Sequence, residues 1–360
     1  MLEAFFTPID KQLLKTYSKS AGTLGGEMKL YGSKFPDYHG VDVAIIGMGP
    51  NADQVRKQLY SYSYNFNGIT VADFGNLNHN GSSKNANAGL RECLIALKAE
   101  NIIPIVIGEN DNYSDALLKA IPFNDIDYAL VSPEIAYNPD SLTWKLQQKK
   151  KLFHCSFIGI QNFMNSHASL QMVSDLFSEL IRLGQLRSQL PDIEPVLREA
   201  DVFEFDLSAI KYPDFQSAIR QLPSGLLNQE ACGICRYAGV SNKVSVYILN
   251  QFKLKAEVPT DAMQIAQMIW YILDGIDNRF NDVPHLQNKN FTIYKCHANS
   301  GEDMLFLYSE LTGRWWMQVP VVGKKKKVAP KFIGCKASDY DIAKMGEVPE
   351  IWFRAALTNS

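Results

Sequence analysis

Acidic side chains recur where short apolar runs end: Asp111 after Ile102 to Gly108, Glu134 after Tyr128 to Val131, and Glu204 with Asp206 inside Val202 to Ser208. If Asp111, Glu134 and Asp206 converge, each charged pair about 4 Å apart repels by roughly 4 kcal/mol at an effective dielectric of about 20. Such a cluster needs a bound cation, a shared proton, or a nearby Lys or Arg. A single hard ion such as Mg²⁺ or Mn²⁺ accepts carboxylate and water ligands, so that is the metal chemistry these three residues allow. The plain alternative is that each acid caps a helix or binds water by itself.

Other constellations are thinner. Gly47-Met48-Gly49-Pro50-Asn51-Ala52 begins like a dinucleotide-binding turn, and Asp73 closes the next apolar run near the place of a ribose-binding acid. Ala52 in the third glycine position and Pro50 inside the turn both weaken that oxidoreductase reading. Cys232 and Cys235 form one C-x-x-C without the second ligand pair that a zinc site requires. Neither Ser132 nor Ser208 lies in a Gly-x-Ser-x-Gly nucleophile elbow. His154 reads as structural, and no two histidines have metal-ligand spacing. Lys324 to Lys327 reads as a solvated loop or an anion contact.

The elements that must position the acids follow from hydrophobic period. Val41 to Gly47, Ile69 to Phe74, Ile102 to Gly108, Tyr128 to Val131, Cys155 to Ile160, Val202 to Leu207 and Val244 to Leu249 are short, apolar and bounded by turn residues. Continuous apolar runs of this length suit strands covered on both faces. Between them, segments such as Asn51 to Ser63, Asn85 to Glu100, Ser169 to Gly184 and Asp261 to Asp277 carry apolar residues at helical spacing. The alternation predicts a three-layer α/β/α sandwich with a mainly parallel central sheet. Ligands of such sheets bind at the carboxyl ends of the strands.

After Asn288 the pattern changes: Phe291 to Lys295, Met304 to Ser309 and Trp315 to Pro320 read as short antiparallel strands. The expected organisation is an N-terminal segment (1–40), the α/β domain (41–288) and a C-terminal β-rich extension (289–360).

The order and spacing of these motifs resemble the ureohydrolases, the family of arginase, agmatinase and formimidoylglutamase, across about residues 40 to 280. Pro50 to Arg56 is similar to that family's Pro-x-x-Ile-Arg helix start, and Val71 to Asn76 to its Asp-x-Gly-Asp strand. Ile103 to Asp111 is similar to Pro-Ile-Val-Leu-Gly-Gly-Asp-His, and Gly159-Ile160-Gln161 looks most like the formimidoylglutamase branch. The resemblance implies an arginase-like fold and a binuclear manganese site held by three strand-end motifs. It also implies a homo-oligomer. At the implied ligand positions stand Asp111, then Ser132, Glu134 and Ala136, then Asp206 and Ser208; of these only Asp206 keeps the family residue. Ser245 to Lys255 contains no acid to recognise a guanidinium-like group.

A hydroxide bridging two metals is what the family's hydrolysis requires, and Asp111, Glu134 and Asp206 alone offer too few donors to seat both ions. The expectation is therefore a divergent relative of formimidoylglutamase without the manganese pair, acting as a non-catalytic binding or scaffold protein, with no cofactor or at most one Mn or Mg ion. The alternative is a metal-dependent hydrolase of C–N bonds in amidines or guanidines, with a site rebuilt from Asp111, Glu134, Asp206 and Glu204. With 36 basic against 38 acidic residues, the formal charge of -2 gives no whole-molecule case for nucleic acid or an acidic membrane. No apolar run approaches a bilayer span. The start of the chain does not read as a secretion signal, and the six cysteines are too sparse for a disulfide framework. The expectation is a cytoplasmic protein whose partner is another protein or a small molecule.

Overall fold

A computed structural model describes residues 2–78, 83–108, 113–120, 125–135, 137–175, 178–319 and 331–358. The strands in chain order are β1 (Phe6–Thr7), β2 (Lys29–Leu30), β3 (Val43–Gly47), β4 (Val71–Leu77), β5 (Ile103–Ile107), β6 (Ile126–Val131) and β7 (Leu152–Ile160). They continue as β8 (Glu179–Arg182), β9 (Val202–Asp206), β10 (Val246–Asn250), β11 (Phe291–His297), β12 (Asp303–Ser309), β13 (Trp315–Val319) and β14 (Lys331–Cys335). Ten form one sheet in the order β1-β4-β3-β5-β10-β9-β6-β7-β8, with β2 also paired to β4. Every pairing in it is parallel except β1 with β4.

All seven strands expected from the apolar runs are present, and β3, β9 and β10 are buried at every position. Burial on both faces keeps β3 free of polar residues, whereas β9 carries Glu204 and Asp206 at alternate positions. The sequence pattern misses β8, because Leu170, Val173 and Leu180 fall at helical spacing through Ser169 to Gly184. The structure ends a helix at Asp175 and adds Glu179–Arg182 to the sheet edge beside β7. Pairing with an existing strand overrides the local helical pattern there. Residues before 40 also enter this sheet, as β1 and β2.

The first crossover shows how sequence sets position. The helix Asn51–Leu59 buries Ala52, Val55, Arg56 and Leu59, which puts a guanidinium on its apolar face. Arg56 is fully buried and grips Asp73 of β4 bidentately, Nε and Nη2 each donating at 2.9 Å. Its remaining donors reach Asp53 at 2.8 Å, Asn76 at 2.6 Å and the Gly75 carbonyl at 2.8 Å, while the Tyr60 hydroxyl donates to Asp73 at 2.8 Å. Burial alone would lower the Arg56 pKa, but Asp73, Tyr60 and Asp53 outweigh it and the guanidinium stays charged. A β-carbon on Gly47 would collide with the Asn76 side chain and with Ala52. These contacts correct the dinucleotide reading: Gly47 is small because Asn76 lies against it, and Asp73 is consumed by Arg56 rather than offered to a ribose.

The C-terminal strands form a separate antiparallel sheet in the order β11-β12-β13-β14. One face is closed by the helices Ala337–Lys344 and Glu350–Thr358, with Tyr340 stacked on Trp315 at 4.8 Å. The other meets the helix Glu194–Glu199, where Arg198 lies 4.3 Å over Trp316 and donates to the Trp315 carbonyl at 3.0 Å. The Gly334 amide donates to Glu199 at 2.8 Å, and Arg314–Glu194, Lys336–Asp192 and Arg354–Glu179 add ion pairs at 2.9, 3.1 and 3.2 Å. Trp315 and Trp316 are therefore packing residues. Lys324 to Lys327 lies outside the described residues. No helix among the described residues is long and apolar enough to cross a membrane.

Candidate functional site at the carboxyl edge

Strands β6 and β9 are neighbours, with Val131 opposite Phe205. Their exits therefore bring Ser132 and Glu134 beside Asp206 and Ser208. Asp206 ends β9 and caps the turn that follows: its Oδ1 accepts from the Ser208 amide at 2.7 Å, and its Oδ2 accepts from the Ser132 hydroxyl at 3.2 Å. The Ser132 Oγ in turn accepts from the Glu134 amide at 3.3 Å. Burial pushes the Asp206 carboxyl upward, against Ser208, Arg220 and Ser132, which favour its charged form.

The counter-charge comes from a residue that no motif marks. Arg220 forms an ion pair with Glu134 through Nη1 and approaches Asp206 to 3.6 Å through Nη2. Its side chain is 37% exposed, against 33% for Glu134 and 8% for Asp206. Of the three remedies open to clustered acids, the structure uses a nearby arginine. Arg220 is the one basic residue between Lys211 and Arg236, but it lies in no motif or periodic run that points to the strand ends.

A second polar layer lies below. Glu204 precedes Asp206 by two residues and so faces the same side of the sheet. Its Oε2 accepts from the Tyr128 hydroxyl at 2.6 Å and its Oε1 from Asn250 Nδ2 at 2.7 Å; the same Asn250 amide meets the Tyr113 hydroxyl. Burial beside Glu204 pushes the Tyr128 phenol well above its ordinary value, so it remains a donor. On the β7 side, Gln161 donates to the Ser224 carbonyl at 3.1 Å, and Asn165 ties the Gln161 carbonyl to the Ile135 amide at 2.7 Å on each side.

The structure thus brings Glu134, Asp206, Ser132 and Ser208 together; Asp111 and Ala136 lie outside the described residues. Among the described residues, no group of three or more His, Cys, Asp or Glu could hold a metal ion. His154 is held neutral, its pKa lowered to about 4 chiefly by burial. Cys232 and Cys235 are buried free thiols on the helix Asn228–Gly239, with Cys232 pushed up to about 11 by burial, so neither is a thiolate.

A three-layer sandwich with this strand order is the ureohydrolase, or arginase-like, fold. A crystal structure of Trypanosoma cruzi formiminoglutamase with Mn²⁺ superposes with a TM-score of 0.59 at 19% identity, over 67% of this chain and 95% of that one. Formimidoylglutamase from Bacillus subtilis gives 0.59 at 14% identity over 68% and 89% of the two chains. The agmatine ureohydrolase of Thermoplasma volcanium gives 0.56 at 16% over 71% and 94%. No family model matches the chain, and no curated protein gives a significant match.

A manganese pair implied by the fold can be tested against the donors present. Ser132 and Ser208 supply neutral hydroxyls, which leaves Glu134 and Asp206 as the anionic donors here, and both face Arg220. A dication seated on Asp206 at the distance of Arg220, about 4 Å from the guanidinium, would be repelled by roughly 8 kcal/mol at an effective dielectric of about 20. The described residues do not fit a metal pair.

Proposed function

We propose that this chain is a ureohydrolase-fold protein that does not hydrolyse guanidines or amidines, and that it acts as a binding or scaffold protein in the cytoplasm, as a homo-oligomer. The observation that supports this reading is the state of Asp206. The residue that matches a family ligand has its oxygens engaged by Ser208 and Ser132 and its charge answered by Arg220. Hydrolysis of a C–N bond at neutral pH needs a water whose pKa has been lowered, which metal ions supply elsewhere. The described groups at this edge bind protons and hydrogen bonds but do not offer that activation.

The test is direct. Purified protein, loaded with manganese and offered agmatine, arginine or formimidoylglutamate, is expected to release neither urea nor formamide above the buffer rate, and to carry no stoichiometric metal. About two manganese ions per chain together with turnover would overturn the proposal. The rival reading, a metal-dependent C–N hydrolase rebuilt on Asp111, Glu134, Asp206 and Glu204, draws on the carboxylate of Glu204 below Asp206. Both Glu204 oxygens accept from Tyr128 and Asn250. That reading requires Asp206→Ala to abolish a divalent-metal-dependent activity while the protein stays folded.

A further inference from the structure

We infer that Arg220 is the resident counter-cation of the carboxyl edge: a guanidinium carried by the chain neutralises Glu134 and Asp206 at the strand ends the resemblance assigns to metal, and completes the site without a divalent ion. The inference rests on the reading that no metal pair operates here. It goes further by naming what stands in the metal's place and how it is held.

The way the 211–226 segment is anchored carries the argument. It leaves the turn after β9 and returns to it, with the Lys211 amide donating to the Leu226 carbonyl at 3.1 Å and the Leu226 amide to the Ala209 carbonyl at 2.8 Å. Between those points Ala218 bridges Phe252. The Ile219 amide donates to the Gln251 carbonyl at 2.9 Å, and the Lys253 amide to the Ser217 carbonyl at 2.7 Å. Phe215 and Ser217 are buried, and Asp261 accepts from the Gln216 amide at 3.0 Å. Arg220 is therefore delivered from a backbone fastened on both sides of it. Only its side-chain torsions remain to be ordered when the ion pairs form.

Ser208 fits the same design. Its amide donates to Asp206, and its Oγ accepts from the Arg220 amide at 3.3 Å. The side chain at an implied metal-ligand position thus holds the arginine's main chain. The guanidinium faces two carboxylates that arrive from different strands, so it joins the exits of β6 and β9 as a bridging ion would.

The experiment compares the full-length protein with Arg220→Gln, Glu134→Gln and the double variant by thermal unfolding, each in millimolar Mn²⁺ and in EDTA. The wild-type midpoint is expected to be the same in both solutions. Arg220→Gln should lower it by about 1 to 3 °C, and Glu134→Gln should cost nothing more once Arg220 is gone. A wild-type midpoint that rises with Mn²⁺ or falls with EDTA overturns the inference, as do single losses that simply add in the double variant. If Arg220→Gln does not fold, Arg220→Lys takes its place in the cycle under the same non-additivity criterion. Turnover with bound manganese would remove both this inference and the proposed function; additive losses in an inactive, metal-free protein would remove this inference alone.

Discussion

At the carboxyl edge of the large sheet, Glu134 and Asp206 face the guanidinium of Arg220; at the amino edge, Asp127, Asp201 and Glu199 face the ammonium of Lys243. Both edges gather more acid than base, and both draw the balancing cation from the same chain. The difference is in what the acids are tied to. Asp206 is wired to serine hydroxyl and amide groups. At the amino edge, Glu199 carries the link onward to the Gly334 amide of β14. Burial raises Asp127 to about 6 against the pull of Lys243, and Asp201 is raised by burial as well. Burial also works against the Lys243 ammonium, but the three carboxylates outweigh it and its pKa is raised. Burial raises the carboxyls at both edges, so the contrast lies in what they are tied to: hydroxyl and amide donors at the carboxyl edge, a lysine and the second sheet at the amino edge.

The largest effect tests whether the first of these is framework at all. Arg56, on the β3–β4 side of the carboxyl edge, is fully buried with Asp73, and Arg56→Met should cost about 3–5 kcal/mol by leaving that carboxylate without its partner. The urea midpoint measures it; a midpoint within error of wild type would show that this half of the edge is not held by charge. Next, Lys243→Met should cost about 2 kcal/mol at pH 7.5, a value reduced for its 41% exposure. Most of that loss should return at pH 5, where Asp127, raised to about 6, is largely protonated. A loss equal at both pH values would erase the distinction between the edges.

A third measurement separates two opposed titrations on adjacent strands, since Asp127 of β6 lies opposite His154 of β7. The raised Asp127 binds its proton more tightly in the folded state, so its contribution is fully present at low pH and is lost as pH rises through about 6. His154, lowered to about 4, does the reverse: folding favours its neutral form, and that stability is lost as pH falls from the ordinary 6.5 toward 4. His154→Phe removes only the second effect. Relative to wild type it should gain stability on acidification from pH 6.5 to 4, by at most about 2 to 3 kcal/mol. An unchanged difference across that range would show that His154 does not titrate as placed. The smallest effect belongs to Glu134→Gln, which should cost under about 1 kcal/mol in chemical denaturation because that pair is one-third exposed.

Much of this arrangement was legible in the residues. The apolar runs locate the strands, and Glu134 and Asp206 stand out because acids recur where those runs end, at the edge where parallel sheets bind ligands. Arg56 could be read only in part: its place between Val55 and Leu59 on a buried face is periodic, but the identity of its partner depends on β3 and β4 lying side by side. Arg220 was not legible. It sits in a segment without periodicity, and nothing short of the fold reveals that Ile219 and Ser217 clasp the exit of β10 and so aim the neighbouring side chain at Asp206. β8 was hidden for the opposite reason, a local pattern that spoke clearly for helix and was overruled by strand pairing.

The fastening of the 211–226 segment has one outcome for the living cell. Its positive group is made in fixed ratio with the two acids it serves, by translation. It cannot be stripped by a chelator, starved by a poor supply of trace elements or exchanged for a competing ion.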